Sequence, residues 1–111
     1  MKHEMKLHDG PFKCIKNRTK TIELRLLDEK RSLIKENDTI EFTNRTTEEK
    51  ITVRVIKLHK YPNFEELYKH HDKVSMGYEE DEDAKPEDME LYYSKEEQQN
   101  LGVVGIEIEL I

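Results

Sequence analysis

Apolar residues along the chain follow two spacings, every second residue or every third to fourth, and these divide it into strand-like and helix-like segments. The clearest segment is Lys20-Thr21-Ile22-Glu23-Leu24-Arg25-Leu26, which alternates strictly, as a half-buried strand does. Ile22, Leu24 and Leu26 point one way; Thr21, Glu23 and Arg25 point the other. Met5 to Leu7 predicts a short first strand, and Thr39 to Thr43 a third, with Ile40 and Phe42 inward. Lys50 to His59 predicts a long strand: Ile51, Val53 and Val55 share one face, while Ile56 and Leu58 share the other. That switch predicts a bulge or a change of partner midway. Val103 to Leu110 alternates again and predicts a final core strand.

Helical spacing fills the intervals. Asp9 as N-cap, Pro11 in the first turn, and Phe12 and Ile15 three apart predict a short helix over residues 10–17. Asp28 to Ile34 predicts a helical turn. Pro62-Asn63 caps a helix from Phe64 to about His70, with Glu65 and Glu66 in its first turn, where the helix dipole favours acids. A second short helix is predicted from Pro86 to Tyr93. Another turn follows from Ser94 to Asn100, where Ser94 and Glu97 have capping-box spacing. Five strands with short interspersed helices make the chain α+β, and the pattern fits either a small barrel with helices at its ends or an open sandwich.

Length then limits the architecture: 111 residues accommodate one domain, here residues 1–111, with an irregular acidic segment at 74–90. Leu, Ile, Val and Phe number 27, enough for a single small core although 40% of residues are charged. No apolar run approaches the roughly 18 residues of a membrane span, and the charged N-terminus MKHEMKLHDG lacks the apolar middle of a signal peptide. A cytoplasmic chain is the expectation. Cys14 is the only cysteine, so no internal disulfide and no CxxC metal pair exists, and its setting is that of a half-buried structural thiol.

The formal net charge of −6 hides an asymmetry. Residues 1–60 carry 15 Lys/Arg against 10 Asp/Glu, a balance of +5; residues 61–111 carry 4 against 15, a balance of −11. Eight of those acids lie between Glu79 and Glu90. The total therefore does not exclude a nucleic-acid ligand, but it argues against a broad basic face for duplexes and favours a local pocket.

Lys20, Glu23 and Arg25 are the candidate chemistry. By spacing alone they are the wet side of an edge strand or the lining of a cleft. The acidic run lacks the glycine and spaced ligands of a calcium loop. His70 and His71, adjacent on a helix, point about 100° apart and do not ligate one metal together. No metal and no cofactor is expected.

The stretch from Phe12 to Asn44 resembles the ASCH domain, a member of the PUA-like β-barrel superfamily, in a small single-domain bacterial-type form. The family's GxKxxExR motif stands here as Arg18-x-Lys20-x-x-Glu23-x-Arg25, with Arg18 in place of the glycine. Ile34 to Asn44 matches the family's next strand, Tyr61 to Leu67 its following helix, and Gly102 to Ile106 its last strand. The resemblance implies a PUA-like barrel of five to six strands with short flanking helices. It also implies a cleft for RNA or a modified nucleoside lined by Arg18, Lys20, Thr21, Glu23 and Arg25. Lys20 and Arg25 would neutralise phosphate and Glu23 would accept hydrogen bonds or hold the cations. Ser75 to Tyr78 would form a flap, with Tyr78 stacking on a base.

A subset of small ASCH proteins is similar to amidohydrolases acting on N4-acetylcytidine, pairing the motif lysine with a threonine three residues later and a distant glutamate. Here Glu23 stands at the threonine position, Thr21 is displaced, and the distant glutamate falls near Ser75. A hydrolase using Lys20 and Glu23 is thus the alternative to a binding module. A protein-interaction module using the acidic loop is the second.

Overall fold

The computed structural model describes residues 1–111. In chain order the elements are β1 (Lys2–Leu7), α1 (Asp9–Lys16), β2 (Ile22–Leu26), α2 (Glu29–Ser32), β3 (Thr39–Asn44), β4 (Lys50–Tyr61), α3 (Phe64–His70), a 3-10 helix (Pro86–Leu91), α4 (Lys95–Leu101) and β5 (Val103–Leu110). The strands form one mixed sheet in the order β1-β3-β4-β5-β2, with β1 parallel to β3 and the other pairs antiparallel. The sheet curls into an α+β half-barrel, leaving β1 and β2 as facing edges.

Side chains of paired residues share a face. Ile40, Phe42, Val53, Val55, Val104, Ile106 and Ile108 line the interior, and Phe12 and Ile15 of α1 plug it. A second cluster lies on the opposite face of β2, where Ile22, Leu24 and Leu26 meet Phe64 and Leu67 of α3, with Met76, Met89 and Val103. The ladder of β4 with β5 shifts register between Val55 and Lys57, placing the expected bulge at Ile56.

Several local expectations are corrected. The first strand begins at Lys2 rather than Met5, because parallel pairing with β3 runs from Lys2–Thr39 to Leu7–Asn44. His8, not Asp9, is the N-cap of α1; Asp9 sits in the first turn and accepts a hydrogen bond from Asn44 Nδ2 at 2.9 Å. The helix expected to reach Tyr93 is a 3-10 helix ending at Leu91. Beyond it Tyr92 is exposed, while Tyr93 packs on the second core. The caps of α3 and α4 are as expected: Asn63 accepts from Glu66 N, and Ser94 with Glu97 forms a full capping box.

Candidate functional site

β2 is an edge strand, yet its polar face is dry. Glu23 pairs with Ile106 and Arg25 with Val104, so both side chains point to the interior face at the rim of the half-barrel. Glu23 is 5% exposed and Lys20 also 5%. The three charges form a ladder. Lys20 Nζ lies 3.3 Å from Glu23 Oε1, Glu23 Oε2 accepts from Arg25 Nε at 2.8 Å, and Arg25 Nη2 lies 2.7 Å from the same oxygen. The remaining Lys20 donors go to the carbonyls of Ile22 at 2.7 Å and Met76 at 2.8 Å. An ammonium has three protons, and all three are engaged.

Burial pushes the Lys20 ammonium down from its ordinary value, with Glu23 opposing. Burial alone would push the Glu23 carboxyl up, but Lys20 and Arg25 outweigh it and hold it below the usual range. Burial likewise disfavours the Arg25 charge, and Glu23 then Tyr93 overcome it, so its value is raised. The ladder is a charged unit within an apolar setting, satisfied from within.

Segment 73–78 covers it. Ser75 O accepts from both Thr21 N and Ile22 N at 2.9 Å, while Thr21 O accepts from Ile108 N of β5. Gly77 has φ +108°, and a Cβ there would stand 3.2 Å from Lys20 Cδ. The segment is packed against the ladder and bonded to β2. The Tyr78 hydroxyl donates to Asp88 Oδ2 and lies 2.8 Å from Tyr68 Oη, while its ring packs on the second core. Burial and those two bonds raise its pKa.

Arg18 and Thr21 lie elsewhere. With Ile15, Lys20, Ile56 and Ile108 they border a shallow cavity of about 370 Å3 at the end of α1. Arg18 has φ +72° and its N–H donates to Ile15 O. The left-handed residue just past a helix end is where glycine is favoured, and Arg18 holds that place after α1.

Arg25 is the most exposed member of the ladder, with 13% of its side chain accessible. Its Nη2 donates to Lys6 O at 2.9 Å across the seam between β2 and β1. It helps wall a groove of about 800 Å3 with Lys6, Lys30, Arg31, Arg45 and Lys50, against the acids Glu4, Glu41 and Glu48. Sequence reasoning did not single out these five cations. Their signal was the positive balance of residues 1–60, spread too evenly to show a patch.

The histidines gather on another flank. His59 and His71 rings are 4.8 Å apart, His71 Nε2 pairs with Tyr61 Oη, and His59 Nε2 with Glu107. No group of three or more His, Cys, Asp or Glu is placed to hold a metal ion.

This half-barrel, with its buried lysine–glutamate–arginine motif, is the fold of one family. The ASCH domain family model matches residues 5–111, and the chain belongs to that family. It is similar over its whole length to the hypothetical protein PH0355, whose crystal structure matches with 32% identity and a TM-score of 0.85, covering 100% of both chains. It is similar also to protein PF0455 from Pyrococcus furiosus, solved by solution NMR, with 32% identity and a TM-score of 0.78, covering 100% of this chain and 98% of that one. Both relatives are archaeal, so the expected bacterial type is not supported. No curated protein matches the chain. No helix is long and apolar enough to cross a membrane.

Proposed function

We propose that the chain works as one ASCH unit that binds RNA or a modified nucleoside, using the groove that Arg25 lines. The observation that carries this reading is the division of labour within one guanidinium. Glu23 holds the Nε–Nη2 edge, Lys6 O takes a proton of Nη2, and the guanidinium lines a groove with six cations against three acids. A guanidinium held in plane by a carboxylate is pre-organised for phosphate, because no rotamer freedom remains to be lost on binding. Glu23 acts as the positioning residue rather than as a ligand contact, and Lys20 neutralises it from behind.

The hydrolase reading asks more of the molecule. Lys20 gives its three protons to Ile22 O, Met76 O and Glu23, under a lid whose backbone is bonded to β2. General-base work by Lys20 needs that lid to open first.

The test is titration of a short labelled RNA at low salt against the wild type and Arg25→Gln. Binding that weakens with salt and falls in the variant is the expected result. Absence of binding to any RNA or modified nucleoside by the wild type would overturn the proposal.

A further inference from the structure

The groove beside Arg25 extends well past the motif, and its lining specifies a ligand more narrowly than the motif does. It crosses the β1 edge. Arg25, Lys30 and Arg31 form one end, at the seam between β1 and β2. Lys6, Arg45 and Lys50 form the other, on the outer face. Lys6 is opposite Thr43, and Thr43 opposite Lys50, so these three make one row across β1, β3 and β4. Adjacent strands lie about 4.8 Å apart, which puts the two lysine stems roughly 10 Å apart.

Several of these cations have no carboxylate of their own. Arg25 is committed to Glu23, Arg31 to Asp28 and Lys50 to Glu41. Lys6, Lys30 and Arg45 are exposed and make no ion pair, although Lys30 Nζ donates to Glu4 O at 2.7 Å. Arg31 Nε is buried and has no hydrogen-bond partner, the one such side-chain atom in the chain.

We infer that this groove is a phosphodiester track, taking the backbone of a single-stranded RNA oligonucleotide rather than a free nucleoside. The inference rests on the RNA-binding reading above and narrows its ligand class. Three features choose this ligand. The cations are spaced along the groove, which suits a repeating charge and not a single anion. Only Met5 in the lining is hydrophobic, so an acidic peptide would find nowhere to bury its apolar side chains. The acidic run from Glu79 to Glu90 leaves no broad positive face for a duplex.

The test uses the full chain and an unstructured RNA of about eight nucleotides, a length typical of single-strand sites. It is titrated at about 50 and 200 mM salt beside a free nucleoside, an RNA duplex and an oligo-glutamate peptide. The triple variant Lys6→Gln, Lys30→Gln, Arg45→Gln should bind the RNA about tenfold more weakly, with a salt slope reduced by about 2, since each phosphate contact on a single strand contributes about 0.7. The variant Lys57→Gln, Lys60→Gln, exposed on β4 away from the groove, should match the wild type in both. An unchanged melting temperature confirms that the triple variant is folded. RNA binding unaffected by the triple substitution overturns the track and leaves the RNA-binding reading standing. Failure of the wild type to bind RNA overturns the track; failure with the nucleoside as well overturns both. Duplex or peptide binding as tight as the single strand overturns the ligand assignment.

Discussion

Arg25 and Lys6 join the two edges of the sheet: Arg25 Nη2 donates to the Lys6 carbonyl at 2.9 Å, where no backbone ladder connects β2 to β1. The half-barrel is closed at that point by a side chain. The same guanidinium holds Glu23 at 2.7 Å, so one residue serves both the seam and the buried charge ladder.

Removing Arg25 should therefore cost far more than an exposed ion pair. Arg25→Ala leaves the Glu23 carboxylate buried beside Lys20 alone, and the expected loss is about 3–5 kcal/mol. Replacing all three charges together, as Lys20→Met, Glu23→Leu, Arg25→Met, should destabilise less than Arg25→Ala, because no unpaired charge is then buried. Urea unfolding of the two variants checks the order. A triple variant less stable than the single one would show that the ladder contributes more than its own desolvation cost.

Arg18 offers a stabilising change. At φ +72° a side chain bears a penalty of roughly 1 kcal/mol that glycine avoids. Arg18→Gly should raise stability by up to about 1 kcal/mol after glycine's greater unfolded-state entropy is subtracted, a few degrees in Tm. Calorimetry reads this directly.

Gly77 should behave in the opposite way. Its φ of +108° strains any side chain, and a Cβ 3.2 Å from Lys20 Cδ would push the Lys20 stem aside. Gly77→Ala is expected to destabilise by about 1–3 kcal/mol and to loosen the lid. In the wild type, Lys20 should resist acylation by an amine-reactive reagent while exposed Lys13 and Lys95 react; in Gly77→Ala its labelling should accelerate. Mass-spectrometric mapping of the modified lysines follows both. Rapid labelling of Lys20 in the wild type would mean that the lid is open in solution.

Asp38 sets an acid-side limit. Its carboxylate bonds to His3 Nε2 at 2.8 Å, to Lys35 N at 3.0 Å and to the N-terminal ammonium of Met1 at 3.1 Å. The His3 bond first, then the Lys35 amide, hold its pKa at about 2, below the ordinary 3.8. A carboxyl depressed in the folded state adds stability above its unfolded value, and that stability is lost as pH falls through the folded one. Asp38→Asn should remove pH dependence between about 4 and 2 and leave the neutral limb parallel to the wild type. Chemical denaturation at a series of pH values gives both curves.

Much of the fold was legible along the chain, and the reasons are local. Alternation at 22–26 and 103–110 marks strands because each has an apolar face to bury. Asn63 and Ser94 mark helix starts because their side chains accept from amides three residues on. Boundaries failed where distant partners decided them: β1 begins at Lys2 because β3 lies beside it, and Glu23 is buried because β5 supplies Ile106 opposite it. Alternation read the polar face of β2 correctly as a face and gave no information on whether water reaches it.

Sequence by itself determined the α+β class, the motif residues and the charge imbalance between the two parts of the chain, since each is carried by residue identity and near neighbours. Tertiary structure alone decided what the motif does in the fold. Lys20 is shut in by a segment more than fifty positions away, Glu23 holds two cations, and Arg25 lines a groove. Five further cations join that groove from β1, α2, β4 and the turn between β3 and β4. They become one surface only because the sheet curls and brings its first and last strands face to face, a long-range closure that no local spacing encodes.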